Sequence, residues 1–165
     1  MTADDILTEL EQLGSEQTKK ILKRHGAEEP LFGVKIADLQ KIRKRIKKNH
    51  ELSLELFASG NYDAMYLAGL IAVPDKMTKA GLKEWAKQAY GGSISGSTVP
   101  GVAAESRYGF ELAEIWMSMK EPRVVGIGWT TLSSLVSIKD DAELDLPDLK
   151  KRLKQVENEI HQAPN

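Results

Sequence analysis

Apolar residues recur along this chain at intervals of three and four, the spacing that lays a stripe along one face of an α-helix. Ile6, Leu7, Leu10 and Leu13 form a first short stripe, ended at Gly14. Ser15 is placed to cap a second helix, which carries Ile21 and Leu22 and stops at Gly26. The segment "EEPLFGV" connects to a third helix, defined by Ile36, Leu39, Ile42 and Ile46. "ELSLELF" predicts a fourth, ending at Gly60, and Asn61 caps a fifth, "YDAMYLAGLIAV", which stops before Pro74. Thr78 caps a sixth, with Leu82 and Trp85 turned inward. A seventh carries Tyr108, Leu112, Ile115, Trp116 and Met119. An eighth begins near Pro122 and carries Val124, Val125, Leu132, Leu135 and Val136, and a last helix runs from near Pro147 to about His161.

No stretch alternates with period two. "STVPGV" is the nearest to a strand, and Pro100 interrupts it. The expected fold is all-α, a superhelical stack of antiparallel helical pairs formed as one domain over residues 1–165. Between the sixth and seventh stripes lies "YGGSISGSTVPG", residues 90–101, which reads as a flexible connector. Gly91 to Thr98 nearly matches a phosphate-binding loop, but Ser97 stands where the lysine is needed, and the segment leaves a helix instead of a strand.

Composition narrows the chemistry. The chain has 165 residues, of which 41% are hydrophobic and 28% charged, and no apolar run approaches the length of a membrane span. "MTADDILTEL" lacks the basic start and apolar middle of a signal peptide, so the expected location is cytoplasmic. The absence of cysteine excludes disulfides, thiolate nucleophiles and cysteine zinc sites, and His25, His50 and His161 have no metal-ligand spacing. Neither a metal nor a cofactor is expected, and the chain is expected to be a monomer.

The net charge of −1 conceals an uneven distribution. Residues 35–48 hold Lys35, Lys41, Arg43, Lys44, Arg45, Lys47 and Lys48 against Asp38 alone, while residues 1–16 carry Asp4, Asp5, Glu9, Glu11 and Glu16 with no basic residue. On the third helix the aliphatic stripe faces one way and Lys41, Lys44, Arg45, Lys47 and Lys48 the other, with Arg43 at the margin. Like charges on one face repel, and an anionic partner offsets that repulsion. Phosphates neutralised by such a face release counterions, so nucleic acid suits it. A solvated surface helix is the alternative. A membrane-surface helix fits less well, because the apolar face has no aromatic anchor.

Trp85, Trp116 and Trp129 sit at helical spacing among aliphatics and read as core. Tyr90 borders the Gly/Ser segment and is the aromatic placed to touch a ligand; Arg107 and Arg123 either face a groove or make surface ion pairs. His50 reads as a helix-end residue, and no catalytic residue can be named.

The ordered series Phe32-Gly33-Val34, Leu39-Gln40-Lys41-Ile42, Glu51 to Phe57 and Gly60-Asn61 strongly resembles the DNA alkylation repair family, helical-repeat proteins that include HEAT-like DNA glycosylases. The similarity runs on through Trp85, Trp116 and Gly128-Trp129 to the closing "EIHQAPN". It implies a curved HEAT-like α-solenoid with a basic concave face that takes DNA. Family glycosylases excise positively charged alkylpurines using aromatic faces and a carboxylate, which stabilise charge developing on the sugar.

The sequence departs from that pattern where the chemistry sits. The family's Trp-Asp-x-x-Asp-like segment follows the sixth helix, and here that place is "YGGSISGSTVPG", with neither Trp nor acid. The nearest downstream acid is Glu105. A second tryptophan, followed by an arginine, belongs at the start of the eighth helix, where "KEPRVVGIGW" puts Arg123 in its place. Relatives continue into further helices past Asn165, which implies a truncated or a naturally short member. Three readings follow. The first is a protein that binds duplex or branched DNA through its phosphate backbone, using Lys41, Arg43, Lys44, Arg45, Lys47, Lys48, Arg107 and Arg123. The second is a glycosylase releasing 3-methyladenine or 7-methylguanine with a different acid, such as Glu105. The third is a protein-interaction scaffold.

Overall fold

The computed structural model describes residues 1–162, so Ala163-Pro164-Asn165 of the "EIHQAPN" segment lie outside the described residues. Its helices are α1 Ala3–Leu13, α2 Glu16–Arg24, α3 Ile36–Ile46, α4 His50–Ala58 and α5 Tyr62–Ile71. They continue as α6 Lys79–Gln88, α7 Val99–Glu105, α8 Gly109–Met117, α9 Pro122–Ile138 and α10 Leu146–Glu159. Short 3-10 turns interrupt the series, and there is no strand among the described residues. No described helix is long and apolar enough to cross a membrane.

The caps read from the sequence form. Ser15 Oγ accepts the Thr18 N–H, Asn61 Oδ1 accepts those of Asp63 and Ala64, and Thr78 Oγ1 accepts that of Gly81. Helices α4 and α5, then α8 and α9, pack as neighbouring pairs. One apolar core runs from Ile6 of α1 to Ile127 of α9, and a smaller cluster of Ala104, Ala113, Leu132 and Leu135 lies beneath it. Phe57 of α4 stacks on Trp85 of α6, ring centroids 3.9 Å apart and planes 5° from parallel, which ties two successive pairs together. Trp116 is buried as expected, but Trp129 is only half-buried, against the smaller cluster.

The largest correction concerns residues 90–101. Ile94–Thr98 forms a turn of π-helix that leads directly into α7, and Ile94, Thr98, Val99 and Pro100 are all buried. The segment expected to be a flexible connector is a piece of the core. Pro100 does not oppose this, because it sits in the first turn of α7, where no intrahelical N–H donor is required. Its glycines serve close packing. A Cβ on Gly91 would lie 1.8 Å from the carbonyl oxygen of Gly26, so the chain here presses backbone to backbone against the end of α2.

The stripe of α3 is also shorter than expected. Leu39 and Ile42 are buried, while Ile36 opens the helix 54% exposed.

Candidate nucleic-acid interface

Helix α3 holds three of its four basic residues in its last turn, where Arg43, Lys44 and Arg45 complement the negative end of the helix dipole. The helix ends at Lys47 with φ 62° and ψ −149°, the left-handed half of the backbone map and a combination that glycine alone adopts readily. Lys47 and Lys48 therefore belong to the turn after α3, not to its face. Asn49 then caps α4 through the Leu52 N–H, and its own N–H donates to Ile71 O at 2.8 Å. The packed ends of α4 and α5 hold the turn in place.

All six basic residues expected on this element are exposed, but their surroundings divide them. Lys41 donates to Asp38 at 2.8 Å. Arg43 reaches Gln40 Oε1 at 3.4 Å. Arg45 forms a two-pronged pair with Glu9 of α1, one prong at 3.1 Å, and the hydrogen bond to Glu9 raises its guanidinium above the ordinary value. The acidic N-terminus thus neutralises one member of the basic cluster. The side chains of Lys44, Lys47 and Lys48 have no hydrogen-bond or ion-pair partner among the described residues. His50, the first residue of α4, keeps a buried Nδ1 without a hydrogen-bond partner among the described residues.

The two arginines placed further along the chain are occupied by protein. Arg107 donates to Asp75 O at 3.2 Å and lies 5.8 Å from the Tyr108 ring. Arg123 pairs with Glu121 at 2.8 Å and donates to the carbonyls of Ala89 and Lys87, closing the C-terminal end of α6. At the position where the resemblance implies a tryptophan, this chain has a helix-capping guanidinium.

Tyr90 also has a structural partner. Its hydroxyl donates to Gly60 O at 2.9 Å, and burial, followed by the nearby Asp63 carboxylate, pushes its pKa up to about 12. Glu105 is exposed on a shallow cleft with Ser133, Ser134 and Ser137, and no aromatic residue lines it.

One arrangement was not legible in the sequence. Asp63 is buried, and its carboxylate accepts the N–H groups of Phe32, Gly33 and Val34 at 2.7, 3.0 and 2.9 Å. The Tyr62 hydroxyl accepts the Ser93 N–H at 2.9 Å. The Phe-Gly-Val segment, the Gly-Asn cap and the start of the Gly/Ser segment are thereby joined to one another.

The family model for DNA alkylation repair enzymes matches residues 6–92. The chain is 32% identical to an uncharacterized protein of Listeria innocua and 31% identical to one of Listeria monocytogenes, each over all of this chain and 76% of the relative. A solved structure described as "a new family of proteins related to the HEAT-like repeat DNA glycosylases with affinity for branched DNA structures" superposes with a TM-score of 0.92 at 36% identity. That superposition covers 99% of this chain and 70% of the other. The all-helical architecture is accordingly of the HEAT-like repeat kind.

Proposed function

This chain belongs to the family of DNA alkylation repair enzymes, and from that premise we propose that it binds duplex or branched DNA through the phosphate backbone. The observation that carries the reading is the division within the basic cluster. Lys44, Lys47 and Lys48 stand exposed and unpaired around one turn, while Lys41 and Arg45 are held by carboxylates of the protein. The three free ammonium groups are the primary phosphate contacts, and Lys41 and Arg43 beside them are secondary ones. Arg45 orders the end of α3 against α1. Arg107 and Arg123 contribute positive potential, with their hydrogen-bonding capacity engaged elsewhere. The branched-DNA affinity attributed to the superposed relative supports including branched substrates.

The test is fluorescence anisotropy of a labelled duplex and of a four-way junction over a series of salt concentrations. Changing Lys44, Lys47 and Lys48 together to Gln should weaken binding to both. It should lower the slope of log affinity against log salt by about 0.9 for each lost contact. An unchanged slope rejects this turn as the interface.

A further inference from the structure

A second cationic site lies well along the chain from the α3 turn. Residues of α6, of α8 and of the turn into α9 line a groove of about 470 Å³. Its floor is apolar, made by Ile115, Met119 and Val124 over the buried edge of Trp116. Met119 is 49% exposed there, a large apolar side chain left open to solvent. Lys83 and Lys87, one helical turn apart on α6, line one wall, and Lys120 lines the other. None of these three ammonium groups has a partner among the described residues. The one carboxylate on the lining, Glu121, is engaged by Arg123. The groove therefore presents an apolar bottom beneath an uncompensated positive rim.

We infer that this groove receives an unpaired nucleotide of a DNA strand, its base lying on the Met119–Ile115 floor and its flanking phosphates between Lys83, Lys87 and Lys120. The inference rests on the DNA-binding reading above and adds a strand-specific contact to it. The volume falls within the range of roughly 300–1,000 Å³ that small-molecule sites occupy. A nucleobase offers an apolar face whatever its identity, so a floor without hydrogen-bonding groups takes any base. Duplex DNA keeps its bases stacked inside and could offer this groove only its phosphates. A flap, gap or junction offers both halves of the ligand, so the groove distinguishes interrupted from continuous duplexes.

The experiment compares anisotropy of a flush duplex with that of the same duplex carrying a short unpaired oligo-dT flap, at one fixed salt concentration. Wild-type protein should prefer the flapped duplex. Replacing Lys83, Lys87 and Lys120 together by Gln should lower affinity for the flapped duplex by about tenfold while moving the flush duplex no more than about twofold. The matching triple Arg variant should retain the preference. Met119→Gln, which alters no charge, should reduce the preference as well. Titration with dTMP should shift the Trp116 indole resonance in the wild type and not in the triple Gln variant. Equal losses on both duplexes, no loss on either, or competition by poly-glutamate matching that of oligo-dT would overturn the inference. If the triple Gln change at Lys44, Lys47 and Lys48 leaves flush-duplex binding intact while the flap preference persists, the α3 reading fails and the groove stands. Wild-type protein that binds neither duplex rejects both.

Discussion

Asp63 holds Gly33 through its carboxylate: Oδ2 accepts the Gly33 N–H at 3.0 Å, between bonds to Phe32 and Val34. Among the described residues no cation pairs with this buried carboxylate; three consecutive backbone N–H dipoles point at it. Gly33 is required at the centre because its φ is +79° and a Cβ would meet Ser15 O at 2.6 Å. Asp63→Asn keeps the shape but loses the charge and one acceptor, and should destabilise the fold by about 1.5–3 kcal/mol. Asp63→Ala strands three buried donors and should cost more. Urea unfolding of the two variants checks the order.

Gly91→Ala should destabilise markedly, because the added methyl would sit 1.8 Å from a backbone carbonyl that cannot turn aside. Gly96→Ala and Gly101→Ala meet nothing within 4 Å and should be neutral or slightly stabilising, by up to about 1 kcal/mol. Thermal melts of the three variants separate a packed segment from a flexible one.

Lys47→Gly should part stability from binding. The lysine backbone is strained by about 1–3 kcal/mol, and glycine relieves this against a loss of about 0.5–1 kcal/mol from its freedom in the unfolded chain. The variant should melt at the same temperature or higher, and its affinity for duplex DNA should fall. A lower melting temperature would mean that the Lys47 side chain itself holds the turn.

Tyr90 sets an alkaline limit. Its native pKa, about 12, lies above the ordinary tyrosine value of 10. Below pH 10 both folded and unfolded chains keep the phenol protonated, and its stabilising bond to Gly60 is fully present. Between 10 and about 12 the unfolded chain ionises first, so stability is lost across that window. Tyr90→Phe should remove part of this alkaline decline, at a cost near neutrality of about 1 kcal/mol for the lost hydrogen bond. Chemical denaturation as a function of pH, alongside phenolate absorbance, measures both effects.

Helix positions and caps were legible because each depends on a few neighbouring residues: Ser15, Asn61 and Thr78 cap the helices they precede. Helix α7 was hidden because Gly96, Pro100 and Gly101 read locally as breakers, and the contacts that seat the segment, Gly91 against Gly26 and Thr98 against Gly69, are long-range. Ile36 belongs to the apolar stripe by spacing, yet nothing in its spacing reveals that the first turn of α3 stands out in solvent. The same limit governs the basic cluster. Seven cations in sequence look alike, and the pairing of Arg45 with Glu9, 36 residues earlier, becomes visible only in three dimensions. Arg123, read from the sequence as facing a groove or making a surface ion pair, pairs with Glu121 and also closes a helix end, a role its local sequence does not show.

The bonds that Asp63, Tyr62 and Tyr90 make to neighbouring segments bear on the order in which parts of the molecule open. Phe32, Gly33 and Val34 lie outside the α-helices and Ser93 starts the helical turn that leads into α7, places where amide protons have no intrahelical acceptor and ordinarily exchange in the fastest local openings. Here each of those protons is held by a side chain from the edge of α5. Deuterium exchange should find them among the slowest connector amides, released together with α5. The segments from Leu31 to Ser93 then act as one opening unit, with α10 and its neighbouring turns free to exchange earlier.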